Sequence, residues 1–137
     1  MNIKKNINAR EEALLNYLWK KGAPLTSNEM LEDLQKEGWK QITLLKTIQT
    51  LSEKEYLEVV GLEKTVKTYA RRFAPTITKE VFYSQMLTEN GVDESALVSI
   101  TAALIGADES SRKGTKQIIQ TLESIIEDLK AENGDIN

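Results

Sequence analysis

The stretch WKQITLLKTIQTLSEKEYLEVVGL, residues 39–62, changes its hydrophobic period partway along, and that change decides the fold. Leu44, Ile48 and Leu51 recur at helical spacing, so a helix from just after Trp39 to about Lys54 carries them on one face. Thr43, Lys46, Thr47 and Thr50 are then expected on the opposite face, which is rich in short hydrogen-bonding side chains. From Tyr56 onward, residues 57–62 are rich in β-branched and apolar side chains with one glycine, as in a strand. Residues 68–74 alternate Tyr69, Arg71 and Phe73 against Thr68, Ala70 and Arg72, so the two runs are expected to pair as an antiparallel hairpin. Residues 63–67 between them read as an exposed, mobile loop, longer than a tight turn.

Two shorter helices precede this stretch. Asn8 and Glu11 have the spacing of a capping box, followed by Ala9, Ala13, Leu14, Tyr17 and Leu18 at helical intervals and closed by Lys20, Lys21 and Gly22. After Pro24 and Leu25, Thr26 and Glu29 form a second box ahead of Met30, Leu31 and Leu34, with Gly38 as the stop. Helix, helix, helix, hairpin is the order of a winged helix-turn-helix. Trp19 and Trp39 are assigned to the core beneath the helices rather than to base stacking.

Downstream, Pro75 ends the second strand and Thr78 caps a helix to about Leu87 that carries Val81, Phe82, Met86 and Leu87. A turn at Glu89-Asn90-Gly91 leads to an apolar helix over 93–105, a polar loop over 106–114 and a last helix from about Thr115. That helix presents Ile118, Leu122, Ile125 and Leu129 at spacings of 4, 3 and 4, widened by Ile119 and Ile126. Such stripes are hard to bury within a small helical segment alone, which favours a second copy as the cover. The expected fold is mainly α with a small β-hairpin wing: a winged-helix DNA-binding domain over 1–76 and a helical dimerisation domain over 77–137. Val81, Phe82, Leu97, Ile118, Leu122, Ile125 and Leu129 are the expected dimer contacts.

Composition removes most chemistry. The 137 residues include no Cys and no His, which excludes disulfides, Cys or His metal sites and the usual Ser-His-Asp and Cys-His nucleophiles. Acidic pairs such as Glu11 and Glu12, Glu32 and Asp33, or Glu127 and Asp128 fall on helix surfaces, and no glycine-rich phosphate loop is present. No enzyme and no cofactor are therefore expected. The longest charge-free stretch, near 96–107, is short of the roughly 18 residues that a membrane span needs. The first residues hold no apolar signal core, so a cytoplasmic protein is expected.

Charge is divided unevenly. Up to Thr78 the chain has 13 Lys and Arg against 10 Asp and Glu, and beyond it 5 against 11, giving +3 and −6. A basic front suits a polyanion, because the sign of the field governs encounter with nucleic acid. A winged helix delivers its third helix to the major groove, about 12 Å wide, where residues near the helix N-terminus reach base edges. Lys40, Gln41, Thr43, Lys46, Thr47 and Thr50 occupy that position, and Lys64, Lys67 and Arg71 suit phosphate contact from the wing, together with Arg72. Two other readings fit the same residues: a winged-helix module whose third helix binds protein, and a ligand-sensing regulator with a pocket among the C-terminal helices.

The chain also resembles the penicillinase and methicillin-resistance repressors of the BlaI/MecI type and their copper-repressor cousins. The likeness runs through Leu18-Trp19-Lys20, residues 26–34, Trp39-Lys40-Gln41-Ile42-Thr43, residues 47–51 and Phe73-Ala74-Pro75-Thr76-Ile77-Thr78. It continues more weakly through Val81-Phe82 and Ala96-Leu97-Val98. The resemblance implies a homodimeric repressor on a pseudo-palindromic operator. In the antibiotic-responsive members, a membrane sensor lies upstream in signalling and cleavage within the dimerisation region releases DNA. It further implies that Lys40, Gln41, Thr43, Lys46 and Thr47 face the groove, with Lys64 and Arg71 serving the wing.

This chain departs from the pattern at several points. The family usually has Trp-Ser-Pro-Lys-Thr where Trp39-Lys40-Gln41-Ile42-Thr43 stands, an Arg at Thr50 and a Gly at Glu55. The Asn-Phe bond at which the family is cut would fall near Ile100-Thr101 and is absent, so proteolytic induction is not implied. The paired Cys motifs of the copper-sensing members are excluded as well.

Overall fold

A computed structural model describes residues 6–107 and 112–134. The chain divides into two compact units, the first ending at Asn90 and the second beginning at Gly91.

In the first unit, α1 (Ala9–Lys21) opens on the expected capping box: Glu11 N–H donates to Asn8 Oδ1 at 2.8 Å and Asn8 N–H to Glu11 Oε1 at 2.9 Å. It ends at Gly22, whose φ of 71° is the left-handed conformation that only glycine adopts without strain. The α2 helix (Ser27–Leu34) opens on the second box, Thr26 with Glu29, and runs into a short 3-10 turn, Gln35–Glu37, closed by Gly38. The next helix, α3 (Gln41–Glu53), follows an extended Lys40. Leu14, Leu15 and Leu18 of α1, Met30 and Leu34 of α2, and Leu44, Ile48 and Leu51 of α3 meet with Tyr56 and Leu57 in one buried cluster. Three amphipathic stripes thus close on each other, the outcome their periodicity predicts.

The hairpin pairs β1 (Leu57–Lys64) with β2 (Tyr69–Pro75) antiparallel, and its register shifts between Val59 and Gly61. A short bridge ties it to the α1–α2 connection: Leu25 N–H donates to the Phe73 carbonyl at 3.1 Å and Phe73 N–H to the Leu25 carbonyl at 2.9 Å. The expected mobile loop over 63–67 is shorter than predicted. β1 continues through Lys64, and Thr65 N–H donates to the Thr68 carbonyl at 2.7 Å while Thr68 N–H donates back to Thr65 Oγ1 at 3.1 Å. Thr65, Val66, Lys67 and Thr68 remain between the strands, closed at both ends because the Thr65 hydroxyl and the Thr68 carbonyl supply partners that the strand ladder lacks there.

The largest departure concerns α4 (Lys79–Glu89), capped as expected by Thr78. Its Phe82, expected at a dimer contact, is fully buried in the core of the first unit. Trp19 and Tyr56 pack on its ring with centroids at 5.4 and 5.6 Å. Tyr83 OH donates to Glu12 Oε2 at 2.6 Å and Trp19 Nε1 to the Ile77 carbonyl at 3.0 Å, so α4 and its lead-in are fastened to α1. α4 thus belongs to the compact first unit, which runs to Asn90, and its aromatic side chains complete the core formed by the helices and the hairpin. Val81, on the other side of α4, remains exposed.

The second unit contains α5 (Glu94–Ala107) and α6 (Arg112–Glu132). Both helices extend into the expected polar loop, and what separates them, residues 108–111, lies outside the described residues. Leu97, Val98 and Leu104 of α5 and Ile119, Leu122, Ile125, Ile126 and Leu129 of α6 are all exposed, while Ile118 is half-buried.

Candidate nucleic-acid interface

Burial decides which face of α3 points outward. Leu44, Thr47, Ile48 and Leu51 are buried, while Gln41, Ile42, Leu45, Lys46, Gln49 and Glu53 are exposed. At 100° per residue, the outward direction lies close to Ile42, Lys46 and Gln49, roughly a fifth of a turn away from the threonine face expected from periodicity. Thr47 is the clearest correction: it is 5% exposed, and its hydroxyl donates to the Thr43 carbonyl at 2.7 Å. Thr43 and Thr50 are half-buried, and the Thr50 hydroxyl donates to the Thr47 carbonyl at 3.1 Å. The Thr47 and Thr50 hydroxyls are satisfied on the helix backbone, and the short side chains permit close approach of α1 to α3. Threonine is amphiphilic enough to sit at a helix–helix seam, which a binary hydrophobic pattern misreads as an outer face.

The seam is fixed at its far end by an ion pair. Lys54 Nζ lies 2.8 and 2.9 Å from the two carboxylate oxygens of Glu11, whose side chain is 1% exposed, and it also donates to the Asn6 carbonyl. Burial opposes ionisation of Glu11, but the Asn8 N–H, the Lys54 ammonium and the Thr50 hydroxyl outweigh it, holding the carboxyl below its usual range. The start of α1 and the end of α3 are thereby locked together, which sets the direction in which α3 projects. A second tie joins α1 to α2: Tyr17 OH donates to Asp33 Oδ2 at 2.6 Å, and Lys21 Nζ lies 2.9 Å from the same oxygen.

The predicted site residues are only partly brought together. Thr43, Lys46, Thr47 and Thr50 line one groove between α1 and α3, shared with Asn8, Arg10 and Trp39. Lys40 and Thr43 line a second, which also contains Arg10. Arg10 is exposed and adjoins both, so it is a cation of this surface that sequence reading missed. Its signal was its place just inside the N-terminus of α1, which became meaningful only once α1 and α3 were packed together. Ile42, Leu45 and Gln49 were missed because two of them are apolar and Gln49 falls between the faces assigned from periodicity. Gln49 Nε2 donates to Glu53 Oε1 at 3.2 Å.

On the wing, Lys64, Lys67 and Arg71 are exposed as expected. Arg71 stands opposite Leu62 and Lys64 opposite Tyr69, which places these four residues on one face of the hairpin. Arg72 lies on the other face, 3.5 Å from Glu63.

Three helices and a hairpin, with the third helix projecting beside cations and the hairpin carrying more, define a protein of the winged helix-turn-helix class. A sequence model of the penicillinase repressor family matches residues 7–128, and the chain belongs to that family. Members are transcriptional regulators, and membership supports a DNA-binding transcriptional repressor. No curated protein and no solved structure matches the chain. Among the described residues, no helix is long and apolar enough to cross a membrane.

Proposed function

We propose that this chain is a cytoplasmic, dimeric repressor that binds a pseudo-palindromic operator, with α3 in the major groove and the wing on flanking phosphates. The observation that carries the reading is the outward half-turn of α3, where exposed Gln41, Ile42, Lys46 and Gln49 project beside Lys40 and Arg10. Side chains near the N-terminus of such a helix reach base edges, while lysines and arginines around it neutralise phosphates. Lys64, Lys67 and Arg71 fit the second task, since each stands exposed on a hairpin anchored to the same core.

Dimerisation is supported by α6, whose apolar stripe of Ile118, Leu122, Ile125 and Leu129 is exposed or half-buried in the single chain, together with Leu97 on α5. An open stripe of this length on a 21-residue helix favours a second copy, and twofold pairing would present two α3 helices to half-sites about one helical turn apart. Release by cleavage near Ile100-Thr101 is not part of the proposal: the family's Asn-Phe bond is absent, and Thr101 lies within α5, its hydroxyl donating to the Leu97 carbonyl at 2.8 Å.

The test is selection of duplexes from random sequence by the full chain, followed by titration of the selected site at several salt concentrations. Lys46→Ala is expected to weaken the selected site most. Lys64→Ala is expected to weaken all duplexes alike and flatten the salt slope by about one unit. A chain that selects no duplex and shows no salt-dependent affinity overturns the proposal. One stoichiometric protein partner under those conditions would instead favour a protein-binding winged helix.

A further inference from the structure

The outward face of α3 carries two large aliphatic side chains where a solvated helix would carry polar ones. Ile42 is 78% exposed and Leu45 45% exposed, and both belong to the first half of α3. They lie three residues apart, hence on one side of the helix and separated by about 4.5 Å of axial rise. Neither contributes to the core, whose α3 members are Leu44, Ile48 and Leu51. Cations flank the pair: Lys46 is exposed on the same helix, and Arg10 shares a groove with Ile42 and Lys46. An apolar pair bordered by positive charge fits a polyanion that has an apolar feature at matching depth.

In the major groove that feature is the C5-methyl of thymine, the only methyl group among the four standard base edges there. We propose that Ile42 and Leu45 are specificity-determining residues that read thymine methyl groups at two nearby positions of each half-site; the proposal rests on the DNA-binding reading given above. Their axial separation of about 4.5 Å compares with about 3.4 Å between successive base pairs, so the two methyls belong to neighbouring or next-neighbouring steps. Against any other base edge, each aliphatic group would cover a polar atom without offering it a hydrogen bond, which penalises the wrong base. Gln49, one turn further along and bonded to Glu53, lies beyond the pair in the C-terminal half of the helix.

Deoxyuridine differs from thymidine only by that methyl, which gives a direct test. In the duplex selected by the full chain, each thymine of a half-site is replaced by deoxyuridine in turn, and affinity is measured for the unmodified protein and for Ile42→Ala, Leu45→Ala and Ile42→Lys. Two replacements are expected to weaken the unmodified protein by about fourfold each, the fold-change that burial of one methyl supports. Ile42→Ala should abolish the sensitivity at one of these positions and Leu45→Ala at the other. Ile42→Lys should shift the preferred base at the first position toward guanine, whose O6 and N7 accept from lysine. Both side chains are exposed, so the variants should retain the circular dichroism of the parent. Selected half-sites in which no thymine methyl matters, or a sensitivity unchanged in the variants, overturn the inference while leaving DNA binding intact. A chain that selects no duplex overturns both.

Discussion

Removing the two ends of the Glu11–Lys54 pair should have unequal costs. The Glu11 side chain is 1% exposed and the Lys54 side chain 28%, with the ammonium 2.8 Å from the carboxylate. Lys54→Met leaves a buried carboxylate whose main countercharge is gone, and such losses cost about 3–5 kcal/mol. The Asn8 N–H still donates to Glu11, which places the expected value near 3 kcal/mol, at the lower end of that range. Glu11→Gln leaves an ammonium that can reach water, so its cost should be about 1.5–2 kcal/mol, at the lower end of the range for one charged hydrogen bond. Urea unfolding followed by tryptophan fluorescence would measure both. The pH dependence has a definite sign. In the parent, the Glu11 carboxyl sits below its usual value of 4.5, so the stabilisation is complete above that value and is lost as pH falls through the lower, folded one. In Lys54→Met, burial without the ammonium raises the carboxyl, which then takes up its proton at higher pH. The penalty relative to the parent should therefore shrink between pH 7 and about pH 3. A Lys54→Met cost equal to or below that of Glu11→Gln, or a penalty that does not change with pH, would refute the account of this seam.

Glu55 has φ 68° and closes α3, with its own N–H donating to Ser52 and that of Tyr56 to Leu51. Relief of roughly 1–2 kcal/mol of left-handed strain against about 0.5–1 for glycine's freedom when unfolded predicts that Glu55→Gly raises stability by about 0.5–1 kcal/mol in chemical denaturation. A decrease would mean that the Glu55 side-chain contacts outweigh the strain. The buried Tyr56 hydroxyl has no hydrogen-bond partner among the described residues, so Tyr56→Phe should be neutral or stabilising by up to about 1 kcal/mol; a loss above that would show the hydroxyl to be satisfied. If a second copy pairs through α6 as proposed, Leu122→Glu combined with Ile125→Glu should convert that dimer to a monomer in sedimentation and cut affinity for the selected duplex by about a hundredfold or more, while the first unit still unfolds at the parent's denaturant concentration. Phe82→Ala should do the reverse, destabilising the first unit by about 3–5 kcal/mol with the association of the second unit unchanged.

Local signals make most of the first unit legible in the sequence. Both capping boxes, the stop at Gly22 and the change of period after Tyr56 depend on a few neighbouring residues, and each element lies within a few residues of its expected bounds. The family likeness along residues 26–78 has the same local character, and the usual glycine at Glu55 now has a cause in the left-handed backbone there. Three matters depended on long-range packing. The side of α3 that faces outward was fixed by how closely α1 approaches, and threonine at that seam is ambiguous to any hydrophobic pattern. Phe82 joined the core of the first unit because Trp19 and Tyr56 were already there to receive it, although 26 or more residues separate it from either along the chain. Arg10 became a neighbour of Lys46 only when the first and third helices came together. Hydrogen bonds to near neighbours can be read along a chain, whereas the rotation of one helix against another depends on side-chain volumes from distant segments at once.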